Sequence, residues 1–132
     1  MNKLNRIFVL FSMALSVFSI TPAIYAEENP AGEIEFYTSM NEGWAYELVD
    51  LFNTKYPEIT VNIYRSGSEE VLSKINAENE GGKVIADVLM VADSVNLESL
   101  KEKDLLLSYE SNENAHIDPK FIDKDNMYTC LL

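Results

Sequence analysis

The chain has 132 residues, 22 acidic against 10 basic side chains, and a formal charge of −12, a balance that repels nucleic acid and anionic membrane surfaces at range. That length has room for one core, and the single cysteine, Cys130, excludes an intramolecular disulfide, so stability rests on packing. Cys130 itself reads as a small apolar filler.

Residues 1–26 read as a secretory signal peptide. Lys3 and Arg6 form a basic start, Ile7 to Ile20 is apolar apart from small serines, Thr21-Pro22 closes the run, and Ala26 offers a small residue for cleavage. The run is shorter than the roughly 20 residues of a spanning helix, so no membrane span is expected. No cysteine lies at the cleavage point to take a lipid, and the expected destination is the periplasm. Residues 27–132 then form the exported part, more acidic still because Lys3 and Arg6 leave with the signal.

Glu33 to Tyr37 alternates polar and apolar, the period of a strand. The loop 38–42 follows, where Ser39 and Glu42 fit a capping box. Trp44, Leu48, Leu51 and Phe52 then share one helical face, which predicts a core position for Trp44. Pro57 forbids continuation beyond Lys55-Tyr56. Thr60 to Tyr64 is a second, β-branched strand. Arg65-Ser66-Gly67-Ser68 is a second loop, with Ser66 and Glu69 as another capping box, before a helix that turns Val71, Leu72 and Ile75 inward and ends near Gly81-Gly82. Ala86 to Val91 is more continuously apolar, as a central parallel strand would be. Ala92-Asp93-Ser94 is a third polar loop, with Asp93 a good cap for a short helix carrying Val95, Leu97 and Leu100. Ser108 to Asp125 is polar and acidic. Met127 to Leu132 reads as the start of a strand with no turn or cap after it, which suggests an interrupted chain.

Three strand–loop–helix repeats predict an α/β fold with a parallel sheet and crossover helices on its faces. Parallel order places Thr38 and Ser39, Ser66, Gly67 and Ser68, and Asp93 and Ser94 on one sheet edge, where ligands of such sheets collect beside helix N-termini. Each residue also has a plainer role. The serines and Asp93 cap helices, Gly67 makes a turn, and Tyr37 either lines the cleft or packs. His116 with Asp118, Asp123 and Asp125 fits no compact metal motif and lacks the glycine and terminal glutamate of a calcium loop. A solvated acidic loop is expected there.

The signal peptide, "EIEFYTS", "LVDLFNTKYPEITVNIYRSGSEEVLSKINAE", "ADVLMVADSVNLESLKEKDLL" and "IDPKFIDKDNMYT" occur in an order that resembles extracellular solute-binding proteins of ABC importers. The nearest branch is the iron(III)-type and related proteins, which include polyamine, thiamine and phosphonate binders. The resemblance implies a two-lobed fold, of which residues 27–132 supply part of the N-terminal lobe and lack the second. It implies no cofactor and an importer permease as membrane partner. The implied ligand is iron(III) or another small polar solute, held at the three loops. In the iron-binding members a histidine of the first loop and a glutamate of the third help hold the metal. Asn41 or Glu42 and Asp93 stand in those neighbourhoods here, and the histidine is absent. The paired tyrosines of the iron members lie in the second lobe and have no counterpart in this sequence, so the metal ligands stay open. A chain of this extent alone is expected to bind a ligand weakly or not at all, to expose an unfinished core and to tend to aggregate or be degraded. The remote alternative is a secreted hydrolytic enzyme. It needs a nucleophile and base, but His116 is the one histidine and no nucleophile-elbow motif occurs.

Overall fold

The three predicted strands are realised as parallel strands, β1 (Gly32–Thr38), β2 (Ile59–Arg65) and β3 (Val88–Met90), in the order β2-β1-β3. This computed structural model describes residues 30–130. The predicted signal peptide lies outside the described residues, as do Leu131 and Leu132 of the predicted last strand. β1 pairs with β2 over its whole length, from Gly32 opposite Ile59 to Thr38 opposite Arg65. It pairs with β3 only from Phe36 opposite Val88 to Thr38 opposite Met90. Helix α1 (Glu42–Lys55) carries the chain from β1 to β2, α2 (Ser68–Glu80) from β2 to β3, and α3 (Ser94–Glu102) follows. The two crossovers run in opposite directions, so right-handed connection puts α1 and α2 on opposite faces. The expected parallel α/β fold is present.

Neither predicted capping box forms. The N-cap of α1 is Asn41, whose side chain accepts from the Gly43 N–H, and α2 starts behind Gly67 with no side-chain cap. Ser39 is unavailable as a cap because its N–H donates to the Met90 carbonyl, which holds it in the extended ladder. The helix stops are as the sequence suggests. Tyr56 closes α1 just before Pro57, and after Gly81 the chain turns at Gly82 (φ +90°), a conformation that favours glycine.

Between the sheet and α2 with α3 lies a core of Tyr37, Val71, Ile75 and Leu100, flanked by Tyr64, Leu72, Leu89 and Leu105. Tyr37 is 2% exposed, so it packs and does not line a cleft. Its hydroxyl donates to Glu78 at 2.7 Å, and Glu78 also accepts from the Ile85 N–H at 2.9 Å and pairs with Lys74 at 2.8 Å. The Lys74 ammonium lies about 5 Å from the Tyr37 and Tyr64 ring centres, within cation–π reach. Burial pushes the Glu78 carboxyl up, but Lys74, the Ile85 N–H and the Tyr37 hydroxyl outweigh it and hold the group below the usual carboxylate range.

On the other face Phe36 and Ala45 are buried, whereas Trp44, Leu48 and Leu51 of α1 are 67%, 41% and 68% exposed. The predicted inward face is therefore one position out of phase. The side of α1 shielded from solvent carries Ala45, Val49 and Phe52, where the small Ala45 lets the backbone come close. Both stripes have helical spacing, and periodicity alone favours neither. The third strand is also shorter than expected and, among the described residues, is an edge strand with Val88 47% exposed.

Ser108 to Cys130 folds back over α3. The predicted last strand amounts to one antiparallel bridge between Ile122 and Thr129 among the described residues. Asp123 departs from the solvated loop expected of it. It is 9% exposed, pairs with Lys101 at 2.6 Å and accepts from the Asp125 and Met127 N–H groups, while the Tyr128 hydroxyl donates to Glu98 of α3. His116 is exposed at the end of a 3-10 turn.

Candidate functional site at the carboxyl edge of the sheet

In the order β2-β1-β3 the chain leaves β1 toward one side and reaches β3 on the other, so the switch point lies between the carboxyl ends of β1 and β3. Side chains of the first loop stitch this crevice together. The Thr38 hydroxyl donates to the Met90 carbonyl at 2.9 Å and accepts from the Met40 N–H at 3.1 Å. The Ser39 hydroxyl oxygen accepts from the Ala92 N–H at 3.1 Å, tying the first loop to the third. The second loop joins from the opposite side, where the Ser66 N–H donates to the Thr38 carbonyl at 3.2 Å. The Arg65 Nε–H donates to the Met40 carbonyl at 2.9 Å. All three polar loops thus meet on one edge.

Their residues play different parts. Thr38 is fully buried, and its hydroxyl organises the loops from beneath. Ser39, Asp93 and Ser94 line an open groove of about 780 Å³, together with Met40 and a mainly apolar floor that includes Phe36 and Met90. Ser66, Gly67 and Ser68 do not line that groove, since loop one stands between it and them. Asn41 is exposed, with its Oδ1 committed to capping α1. Asp93 caps α3 by accepting the Val95 N–H at 3.0 Å. Its φ of +81° is a conformation that L residues with side chains seldom adopt, and such strain often marks a site. Gly67 has an ordinary φ of −64°, so the turn does not require glycine. A Cβ there would meet the flexible Glu70 carboxylate, which lies over the start of α2.

Chemically the edge offers hydroxyl donors from Ser39 and Ser94, carboxylate oxygen from Asp93 and a guanidinium from Arg65. Such a set suits a small polar solute. Sequence reasoning passed over Arg65, although an arginine ending a strand at a polar loop was the available signal. Among the described residues no group of three His, Cys, Asp or Glu side chains is close enough to hold a metal ion, and no helix is long and apolar enough to cross a membrane.

No protein-family profile and no curated protein sequence matches the chain. Among the solved structures that share its fold are two iron-bound proteins. Iron-bound HitA from Pseudomonas aeruginosa superposes with a TM-score of 0.63 at 24% identity, over 74% of this chain and 30% of its own. IdiA (FutA) of Trichodesmium, in complex with iron and citrate, gives a TM-score of 0.64 at 22% identity over the same shares. The chain thus spans about 30% of the length of these neighbours.

Proposed function

We propose that this chain is part of an exported solute-binding protein serving an ABC importer, with iron(III), carried as such or in a chelate, as the favoured solute. The carrying observation is the meeting of three polar loops along the carboxyl edge of the sheet, beside the switch point, in a fold shared with two iron-bound proteins. Residues 27–132 would follow a signal peptide ending at Ala26 and supply part of one lobe. A membrane permease would receive the solute in the periplasm. The ligand contacts in the groove fall to Ser39, Asp93 and Ser94, with Asn41, Ser66, Gly67 and Ser68 bordering the same edge and Thr38 holding the loops in place. Binding without chemical conversion is the activity. The serine hydroxyls donate to ligand oxygens, and Asp93 meets positive charge.

Equilibrium dialysis against ferric citrate, putrescine, thiamine and methylphosphonate tests the assignment. Retention of ferric citrate above the other three is expected. Preferential retention of putrescine, thiamine or methylphosphonate would move the protein to another solute class, retention of none would mean that this part of a lobe holds no solute by itself, and equal retention of all four would contradict a specific site.

A further inference from the structure

The lining of the groove is held in two unlike ways. Ser39 is tied into the sheet, its N–H donating to the Met90 carbonyl at 3.0 Å and its hydroxyl oxygen accepting from the Ala92 N–H. Thr129 and Cys130, which line the same groove, belong to the strap from Ser108 to Cys130. Every backbone hydrogen bond that this strap makes among the described residues stays inside it. Its one buried side chain is that of Asp123. The strap also departs from the core at once, since Leu105 and Leu106 pack against the central cluster and Leu107 is 84% exposed.

Among the described residues, the hydrogen bonds and ion pairs from the strap to the body are side-chain contacts to α3. Lys101 pairs with Asp123 at 2.6 Å and with Asp125 at 2.8 Å, and the Tyr128 hydroxyl donates to Glu98. Ser94, Leu97, Glu98 and Lys101 follow the i, i+3, i+4, i+7 spacing of one helical face. The face that lends Ser94 and Leu97 to the groove therefore also grips the strap. The gripped turn satisfies its own backbone. Asp123 accepts from the Asp125 and Met127 N–H groups, the Asn126 N–H donates to the Asp123 carbonyl at 2.9 Å, and the Tyr109 N–H donates to the Asn126 carbonyl at 2.9 Å. The strap can thus leave α3 as a unit with those bonds intact. Without Lys101 the Asp123 carboxylate would be a buried, unpaired charge, and undocking returns it to water.

We propose that this strap is a movable wall of the groove, docked on α3 through Lys101 and Glu98, which makes those two positioning residues for the site. This rests on the solute-binding reading above and adds a conformational step to it. A solute in the groove contacts the docked wall and favours docking, and docking in turn strengthens retention of the solute.

Cys130, the single cysteine and half-buried in the docked strap, reports on the wall. Its alkylation by iodoacetamide is timed in the wild type, Lys101→Met, Lys101→Arg and Tyr128→Phe, with and without ferric citrate. Hydrogen exchange of the β1–β2 amides gives the opening of the whole fold. Lys101→Met should speed alkylation about fivefold or more, the scale of one lost charge-assisted contact, with the β1–β2 amides still protected. Tyr128→Phe keeps the ring and should speed it less, and Lys101→Arg should stay near the wild-type rate. Ferric citrate should slow the reaction in the wild type and in Lys101→Met. A wild-type rate in Lys101→Met, or acceleration only alongside loss of β1–β2 protection, would overturn the movable wall. Ferric citrate retained on dialysis without slowing alkylation would overturn the coupling and leave the solute-binding reading intact. Faster alkylation in Lys101→Met with no ferric citrate retained would uphold the wall and show that this part of a lobe holds no ferric citrate by itself.

Discussion

Tyr37→Ala should lower the free energy of unfolding by about 3–5 kcal/mol, the range for deleting a buried aromatic ring. That is a large share of the roughly 5–15 kcal/mol a folded domain has to lose. Tyr37 sits on the central strand and is almost fully buried against Val71, Ile75 and Leu100. Tyr37→Phe separates the ring from its hydroxyl. It should cost only about 1 kcal/mol, because Glu78 keeps Lys74 and the Ile85 N–H as partners. Urea denaturation of both variants measures the pair. A loss below about 1 kcal/mol for the alanine variant would show that the ring does not anchor this core.

A second large effect is expected at the junction between α3 and the last described segment. Asp123→Ala should cost about 2–3 kcal/mol, toward the lower end of what breaking a buried ion pair costs, because Lys101 retains Asp125 at 2.8 Å. The Asp125 and Met127 N–H groups lose their acceptor. Hydrogen exchange should therefore quicken at Asp123 and Cys130 while the β1–β2 ladder stays protected. Burial pushes the Asp123 carboxyl up, but Lys101 and the two N–H groups outweigh it and hold the group below its usual value. Glu78 is depressed in the same sense. For both, the folded protein binds a proton less readily than the unfolded chain. Their stabilisation is complete above the ordinary carboxylate range and is lost as the pH falls through about 4 and below. Wild-type stability should drop along that acid limb, and Asp123→Ala should make the drop shallower. An unchanged acid limb in the variant would contradict the role given to Asp123.

Much of this fold is legible in the sequence because local signals and tertiary structure agree. Alternation from Glu33 to Tyr37 and from Thr60 to Tyr64 marks two strands, while Pro57 and Gly81-Gly82 stop two helices. Parallel order then follows from connection length, and with it the meeting of the three loops. Other features depend on choices that local sequence leaves open. Helix α1 has apolar residues on two adjoining stripes, and only packing against the sheet selects the one through Ala45 over the one through Trp44. Ser39 and Asn41 are both good caps, and the pairing of Ser39 with β3 decides for Asn41. β3 ends where its pairing with β1 ends, a limit set by a distant segment. Asp123 sits among solvated acids in sequence but meets Lys101 across 22 positions. Arg65 gains meaning only when folding brings Met40 beside it.

The central claim is that a solute binds at the carboxyl edge of the sheet, and iron provides its own reporter. High-spin iron(III) is paramagnetic, so ferric citrate added to the ¹⁵N-labelled chain broadens amide resonances close to the metal. Selective broadening of Ser39, Met40, Ser66, Gly67, Asp93 and Ser94 is the predicted result. Broadening centred on the acidic segment from Ser108 to Asp125, or spread evenly over the surface, would contradict it.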